Sequence, residues 1–261
     1  MVRVIILTES DTGTAAHHFP FLLNQPSFAV VQVVKSSGRK RNRKGLLIKK
    51  LKKIRQIGLL GALNGIRMRN WFTNGVDAKL KPLPLSRQCK TAGIPYNEVE
   101  YTHGNDTISL FRAAKADIGI SLGNGYIGPS VFSIPRYGMI NIHHELLPEF
   151  KNAQSVIWQL YHLSSSTGYT IHRINNEIDG GDILLKEKVP IVFEKDLPET
   201  IAATSEHLLL SSAKGLVSVL SDLPGYIERA EKQGEGRSYT TPSWKQFRQI
   251  QKNFQQLSGK K

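Results

Sequence analysis

Apolar and polar residues fall along this chain in blocks rather than in strict alternation. Val2–Thr8 and residues 28–34 are β-branched apolar runs suited to parallel strands buried on both faces. Between them residues 10–14 read as a loop, and residues 15–24 as a helix cut short by Pro20. Residues 86–92 predict a helix closed by Gly93, and residues 94–99 a third strand. Asp106 is placed to cap a helix running to Lys115, with a further strand over 117–122. Met139–His143 reads as a strand end, and Leu146 to Pro148 stops the extended run. Beyond it a helix is expected over 153–163, carrying Trp158 and Tyr161. Strands over 168–175 and 183–192 bracket a loop. Ile201, Leu208, Leu209, Ala213, Leu216 and Leu220 then recur with helical spacing over 197–220. This order of elements predicts an α/β fold, a doubly wound and mainly parallel sheet with ligands at the carboxyl ends of its strands. The Gln- and Lys-rich end of the chain is expected to fray.

The stretch from Gly38 to Pro84 does not fit the alternation. Leu47, Leu51, Ile54, Gly58 and Ala62 form an apolar stripe flanked by Lys49, Lys50, Lys52, Lys53 and Arg55, which predicts a basic amphipathic helix inserted after the second strand. The net charge is +14, and residues 35–55 hold eleven bases and no acid, so the excess charge is local. Three readings of the insertion stand side by side. It contacts a phosphate-rich acceptor or nucleic acid, it lies on an anionic membrane surface through residues 39–70, or it is a solvated helix docked on its own domain. The 261 residues, 40% hydrophobic, suffice for one large domain with a small appendage. The division expected is 1–195, with the insertion at 38–84, and a C-terminal helix and extension at 196–261. Cys89 is the only cysteine, so no intrachain disulfide can form and a reducing, cytoplasmic setting is expected. The first seven residues read as a strand rather than a signal peptide, and no apolar run approaches the ~20 residues of a membrane span.

Asn141 and His143, two apart on a strand end, project to one face. An amide such as Asn141 stabilises an oxyanion. An imidazole such as His143 moves protons near neutrality. Asp179, 36 residues after His143, is a carboxylate able to orient that imidazole or hold a water. On its own the Asn-x-His pair also fits an ordinary polar sheet rim. The other seven histidines show no metal-ligand spacing, so no metal is predicted and structural roles are the default, with His144 nearest the pair. No Gly-x-Ser-x-Gly elbow is present, which argues against a serine hydrolase.

The run from Asn141 to Pro148, then Thr167–His172, then Ile178–Leu184, resembles the folate-dependent formyltransferases. That family includes the glycinamide-ribonucleotide, methionyl-tRNA and nucleotide-sugar enzymes. The resemblance is strong over residues 85–185 and looser over the first 35. It implies that Asn141, His143 and Asp179 are catalytic and that 10-formyltetrahydrofolate is the co-substrate. It also implies that Asn124, Gly125, Tyr126, Ile127, Met139, Asn175 and Asn176 line the folate pocket. The turn around Gly13 resembles the one that holds substrate phosphate in the glycinamide-ribonucleotide enzymes, with an ordinary strand–helix turn as the alternative. Glu145 stands where members often carry Ser, and sets a charge near the acceptor side. Methionyl-tRNA formyltransferases carry a basic insertion here too, together with a C-terminal β-barrel that the residues after Val189 are too few and too helical to form. The expected acceptor is therefore a small-molecule amine bearing phosphate, an amino sugar on a nucleotide or lipid carrier. Methionyl-tRNA and a catalytically inactive binding relative are the alternatives; the intact Asn141, His143 and Asp179 set argues against the second.

Overall fold

The computed structural model describes residues 1–38, 43–153 and 155–259, with the side chains of 43–50 and 72–78 excepted. Leu47 and the bases between Arg39 and Lys50 therefore lie outside what can be described. The strands are β1 (Val2–Thr8), β2 (Phe28–Ser36), β3 (Tyr96–Val99), β4 (Ile118–Ser121), β5 (Met139–His143), β6 (Ser166–Arg173) and β7 (Ile183–Pro190). They form one sheet in the order β3-β2-β1-β4-β5-β6-β7. The first five pair in parallel, and β6 and β7 are antiparallel additions. The fold is the α/β doubly wound class that the blocks of apolar residues predict. β1 shows why: Val4, Ile5, Ile6 and Leu7 are all fully buried, which requires helices on both faces of the sheet.

Connection order creates the site. The chain adds strands to one side of β1, then crosses to the other side at β4, so the carboxyl ends of β1 and β4 diverge into a crevice. Helices α1 (Thr14–His18), α3 (Leu85–Ala92), α4 (Asn105–Ala114) and α5 (Pro129–Phe132) make the crossovers. Gly104, not Asp106, occupies the N-cap of α4, and Asp106 lies in its first turn. The helix expected from Ala153 is only α6 (Ile157–Tyr161). Val156, with a φ of 71°, starts it late.

The long helix α7 (Leu197–Ser221) shares the main core with the sheet through Leu208, Leu216, Val219 and Leu220. After the short α8 (Leu223–Glu228), the segment expected to fray is the well-formed α9 (Trp244–Leu257), opened by a capping box between Ser243 and Gln246. Phe247, Ile250 and Phe254 are buried against α6 and neighbouring residues, and the Gln and Lys residues form the outer face. A helical period hidden in a polar composition explains the missed element.

The insertion is α2 (Arg43–Leu80), broken at Gly58, whose φ of 76° and ψ of 164° are not helical. Leu51 and Ile54, on the apolar stripe of the sequence pattern, are exposed. The docked face is Ile57, Gly61, Asn64 and Met68, which pack toward α7 and α9. No described helix is long and apolar enough to cross a membrane.

Candidate active site

A cleft of about 870 Å³ opens over the carboxyl ends of β1, β4 and β5. Asn141, His143 and Asp179 all line it. Asn141 and His143 come from alternate positions of β5, both half-buried, while the buried Ile140 and Ile142 take the positions between and before them. Asp179 reaches them from the loop joining β6 to β7. Its own φ is 52°, a left-handed conformation that Asp tolerates better than most residues. The loop closes tightly because residue 181 is glycine; a Cβ there would stand 1.9 Å from the Arg173 carbonyl oxygen.

Asp179 sits between two imidazoles. Its Oδ2 is 3.8 Å from His143 Nε2, its Oδ1 is 3.8 Å from His172 Nε2, and the Asn152 backbone N–H donates to Oδ2 at 3.2 Å. His143 Nε2 is 3.1 Å from the Phe150 carbonyl oxygen. A carbonyl only accepts, so Nε2 carries the proton in this contact and Nδ1 holds the lone pair.

His172, given only a structural role by the sequence, completes the arrangement. It is the cross-strand partner of Asn141 in the β5–β6 pairing. Its Nδ1 donates to the Arg173 carbonyl at 2.9 Å, leaving Nε2 to accept from Asn141 Nδ2 at 3.3 Å. Burial pushes its pKa down to about 4, although the Asp179 charge opposes that shift. A neutral His172 therefore orients the Asn141 amide. The only advance signal was its place in the Thr167–His172 segment.

Of the residues expected at a folate pocket, Asn124, Gly125, Tyr126, Ile127 and Asn175 line the cleft. Met139 does not: it is buried beneath, packed closely on Gly119 in the core cluster that includes Ile127. Asn176 is exposed outside the lining, where Glu177 and Ile178 stand instead. Two amides of the glycine loop are already bonded within the protein, Gly125 to Glu9 Oε1 at 3.0 Å and Gly128 to His103 Nε2 at 2.7 Å. Asn124 donates through Nδ2 to the Leu7 carbonyl at 2.6 Å, and its buried Oδ1 has no partner within the protein.

Thr12, Gly13, Thr14 and His17 form another part of the wall. Asp11 is turned away, accepting from the Ser86 backbone N–H at 2.7 Å and hydroxyl at 2.8 Å at the start of α3. Glu145 does not reach the acceptor side. It is 1% exposed and absent from the cleft lining, with its carboxyl against Gln159 rather than near the acceptor side. His144, just past the end of β5, also lines the cleft and contacts Ser212 on α7 at 3.1 Å. The tail after α8 also serves the site: Ser238 bridges Lys151, and Tyr239 stacks on Phe150, the residue whose carbonyl receives His143.

The formyl transferase family model matches residues 76–220, more than half the chain. A methionyl-tRNA formyltransferase from Deinococcus radiodurans is 34% identical over 135 residues, covering 51% of this chain and 42% of its own. The chain spans about half the length of the curated relatives it matches. Among solved structures, glycinamide ribonucleotide transformylase 1 from Symbiobacterium toebii aligns with a TM-score of 0.57 at 16% identity, over 90% of this chain and 92% of its own. An N-formyltransferase from Helicobacter canadensis, in complex with folinic acid and dTDP-3-aminofucose, aligns with a TM-score of 0.51 at 16% identity, over 91% and 71% respectively. At such identities the structural likeness speaks to the fold, and the sequence match decides the kinship: the chain belongs to the folate-dependent formyltransferase family.

Proposed function

We propose that this protein transfers a formyl group from 10-formyltetrahydrofolate to a primary amine. The observation that carries the reading is the convergence of Asn141, His143 and Asp179 at one point of the cleft, with His172 holding the Asn141 amide. The folate donor supplies the formyl carbon. As an amine adds to that carbon, negative charge gathers on the formyl oxygen, and the Asn141 Nδ2 hydrogen not used by His172 stabilises it. His143 takes the proton released by the amine and returns it to the departing nitrogen, using the ring nitrogen that Phe150 leaves free. Asp179 stabilises the imidazolium that forms in between. The fit of the donor is supported by the orphaned Asn124 Oδ1, an acceptor suited to a heterocyclic N–H, and by apolar surface from Ile127 and Tyr126.

For the acceptor, an amino sugar carried on a nucleotide or lipid phosphate is the favoured class. The hydroxyl-rich wall from Ser10 to Thr14 beside His17 suits a small polar ligand. The Helicobacter canadensis neighbour, with its bound amino-sugar nucleotide, provides a precedent within the same fold. Formylation of methionyl-tRNA is the second reading, favoured by the names of the sequence relatives. Loss of formyl from 10-formyltetrahydrofolate, followed with a panel of amino-sugar nucleotides and with methionyl-tRNA, tests both. Turnover with an amino sugar is expected. Turnover with tRNA alone would establish the second reading, and silence with every amine despite folate binding would overturn the acceptor classes named here.

A further inference from the structure

The part of α2 beyond Gly58 is apolar on two opposite sides. Gly61, Asn64 and Met68 are buried on the inward side, toward α7 and α9. At 100° per residue, Leu59, Leu60, Leu63 and Ile66 share the outward side. They are 67%, 54%, 55% and 62% exposed. Just before the break, Leu51 and Ile54 are exposed as well, among the exposed bases Lys52, Lys53 and Arg55. Arg67 borders the apolar side, its guanidinium 5.4 Å from the Trp71 ring centre. The sequence holds no acid between Asp11 and Asp77, so nearby carboxylates along the chain do not offset this charge.

We propose that the outward face of α2 docks on an anionic lipid bilayer, with Leu59, Leu60, Leu63 and Ile66 entering the interface and Lys52, Lys53 and Arg55 meeting the headgroups. A row of large aliphatic side chains is not left in water on a solvated helix without a use. Apolar insertion beside a basic flank is the chemistry of an interfacial helix. Phosphate-directed contact with nucleic acid would use the bases and leave the aliphatic row without a role. A second copy of the chain would bring two basic flanks together without opposite charge to match. The inference rests on this surface alone and does not depend on which amine is formylated.

The test is co-sedimentation of the whole protein with vesicles of phosphatidylcholine alone and of phosphatidylcholine with phosphatidylglycerol. Binding is expected only to the anionic vesicles, and it should weaken as salt is added. Replacing two exposed leucines with another good helix former, Leu60→Gln with Leu63→Gln, should lower the vesicle affinity by about tenfold or more. Lys52→Glu with Lys53→Glu should lower it too, and unchanged circular dichroism and melting would show that both variants fold. No binding at low salt would overturn the proposal, as would full binding by the leucine variant. Self-association in solution that the leucine variant abolishes would assign the face to a second copy. Retention of an RNA oligonucleotide without vesicle binding would assign it to nucleic acid.

Discussion

Glu145 and Gln159 face each other inside the protein, with Gln159 Nε2 donating to Glu145 Oε2. The remaining two oxygens, Glu145 Oε1 and Gln159 Oε1, are buried without partners. One proton on Glu145 Oε1 would join them in a closed acid–amide pair, and burial accordingly raises the Glu145 pKa well above 4.5. The folded state then holds a proton that the unfolded state releases, so this site loses stability as pH rises through and above 4.5. Glu145→Gln keeps the shape and supplies the missing donor permanently. Its urea unfolding free energy should exceed that of the parent by about 1 kcal/mol or more at pH 8 and by little at pH 4.5. An equal difference at both pH values would sink the assignment. At the site itself, Asn141→Ala should lower kcat by about two to three orders of magnitude while the thermal transition stays intact; a variant at full rate would remove the oxyanion role. The sequence pointed to Asn141, His143 and Asp179 through motifs that resemble a known family. It carried no sign of what surrounds Glu145, because Gln159 reaches it by tertiary packing.

The helices show what pattern reading captures and where it stops. The apolar repeat of α7 ran true, because its first turns bury Leu197 and Ile201 among residues of α2, α6 and α9 and its later turns bury Leu208, Leu216, Val219 and Leu220 against the sheet. Its Gly215 lies against Tyr169 of β6, and a Cβ at that position would stand 2.2 Å from the Tyr169 oxygen and under 3 Å from its ring. That oxygen donates to Glu187 at 2.6 Å, so the ring is not free to step aside. Gly215→Ala should therefore destabilise the protein by about 1–3 kcal/mol, despite the higher helix propensity of alanine. Denaturant titration of that variant decides it, and a gain in stability would show that α7 can shift outward. The insertion α2 was foreseen as a helix, but which of its faces docks on the domain was not. Two apolar faces overlap in its sequence, and only contact with α7 and α9 decides which one is buried. In α9 Phe247, Ile250 and Phe254 recur with helical spacing, but Gln and Lys dominate the composition and the segment reads as polar.

Across the whole molecule, burial holds the imidazoles of His18, His144 and His172 well below their usual pKa. His18 and His144 approach Ser212 at 3.0 and 3.1 Å. Burial lowers their pKa values to about 4 and about 3, and that of His172 to about 4, against 6.5 when free. An unfolded chain binds these protons first, so their contribution is present above pH 6.5 and is lost as pH falls toward 4. Glu145 acts in the opposite direction above 4.5. Stability should therefore rise between pH 5 and 6.5, by about 1 kcal/mol per pH unit or more, and decline gently above that range. Urea midpoints measured across pH 5 to 8 check this, and a flat profile would contradict the neutral-histidine core. Residue type and local period were enough for the α/β class and most strand and helix positions, since those follow from backbone preference and from which residues avoid water, and the resemblance to a known family marked the three site residues. The β5–β6 pairing that seats His172 beside Asn141, the protonated Glu145–Gln159 pair and the outward apolar face of α2 came with the assembled fold. Each depends on contacts between segments distant along the chain, which neither partner's own sequence specifies.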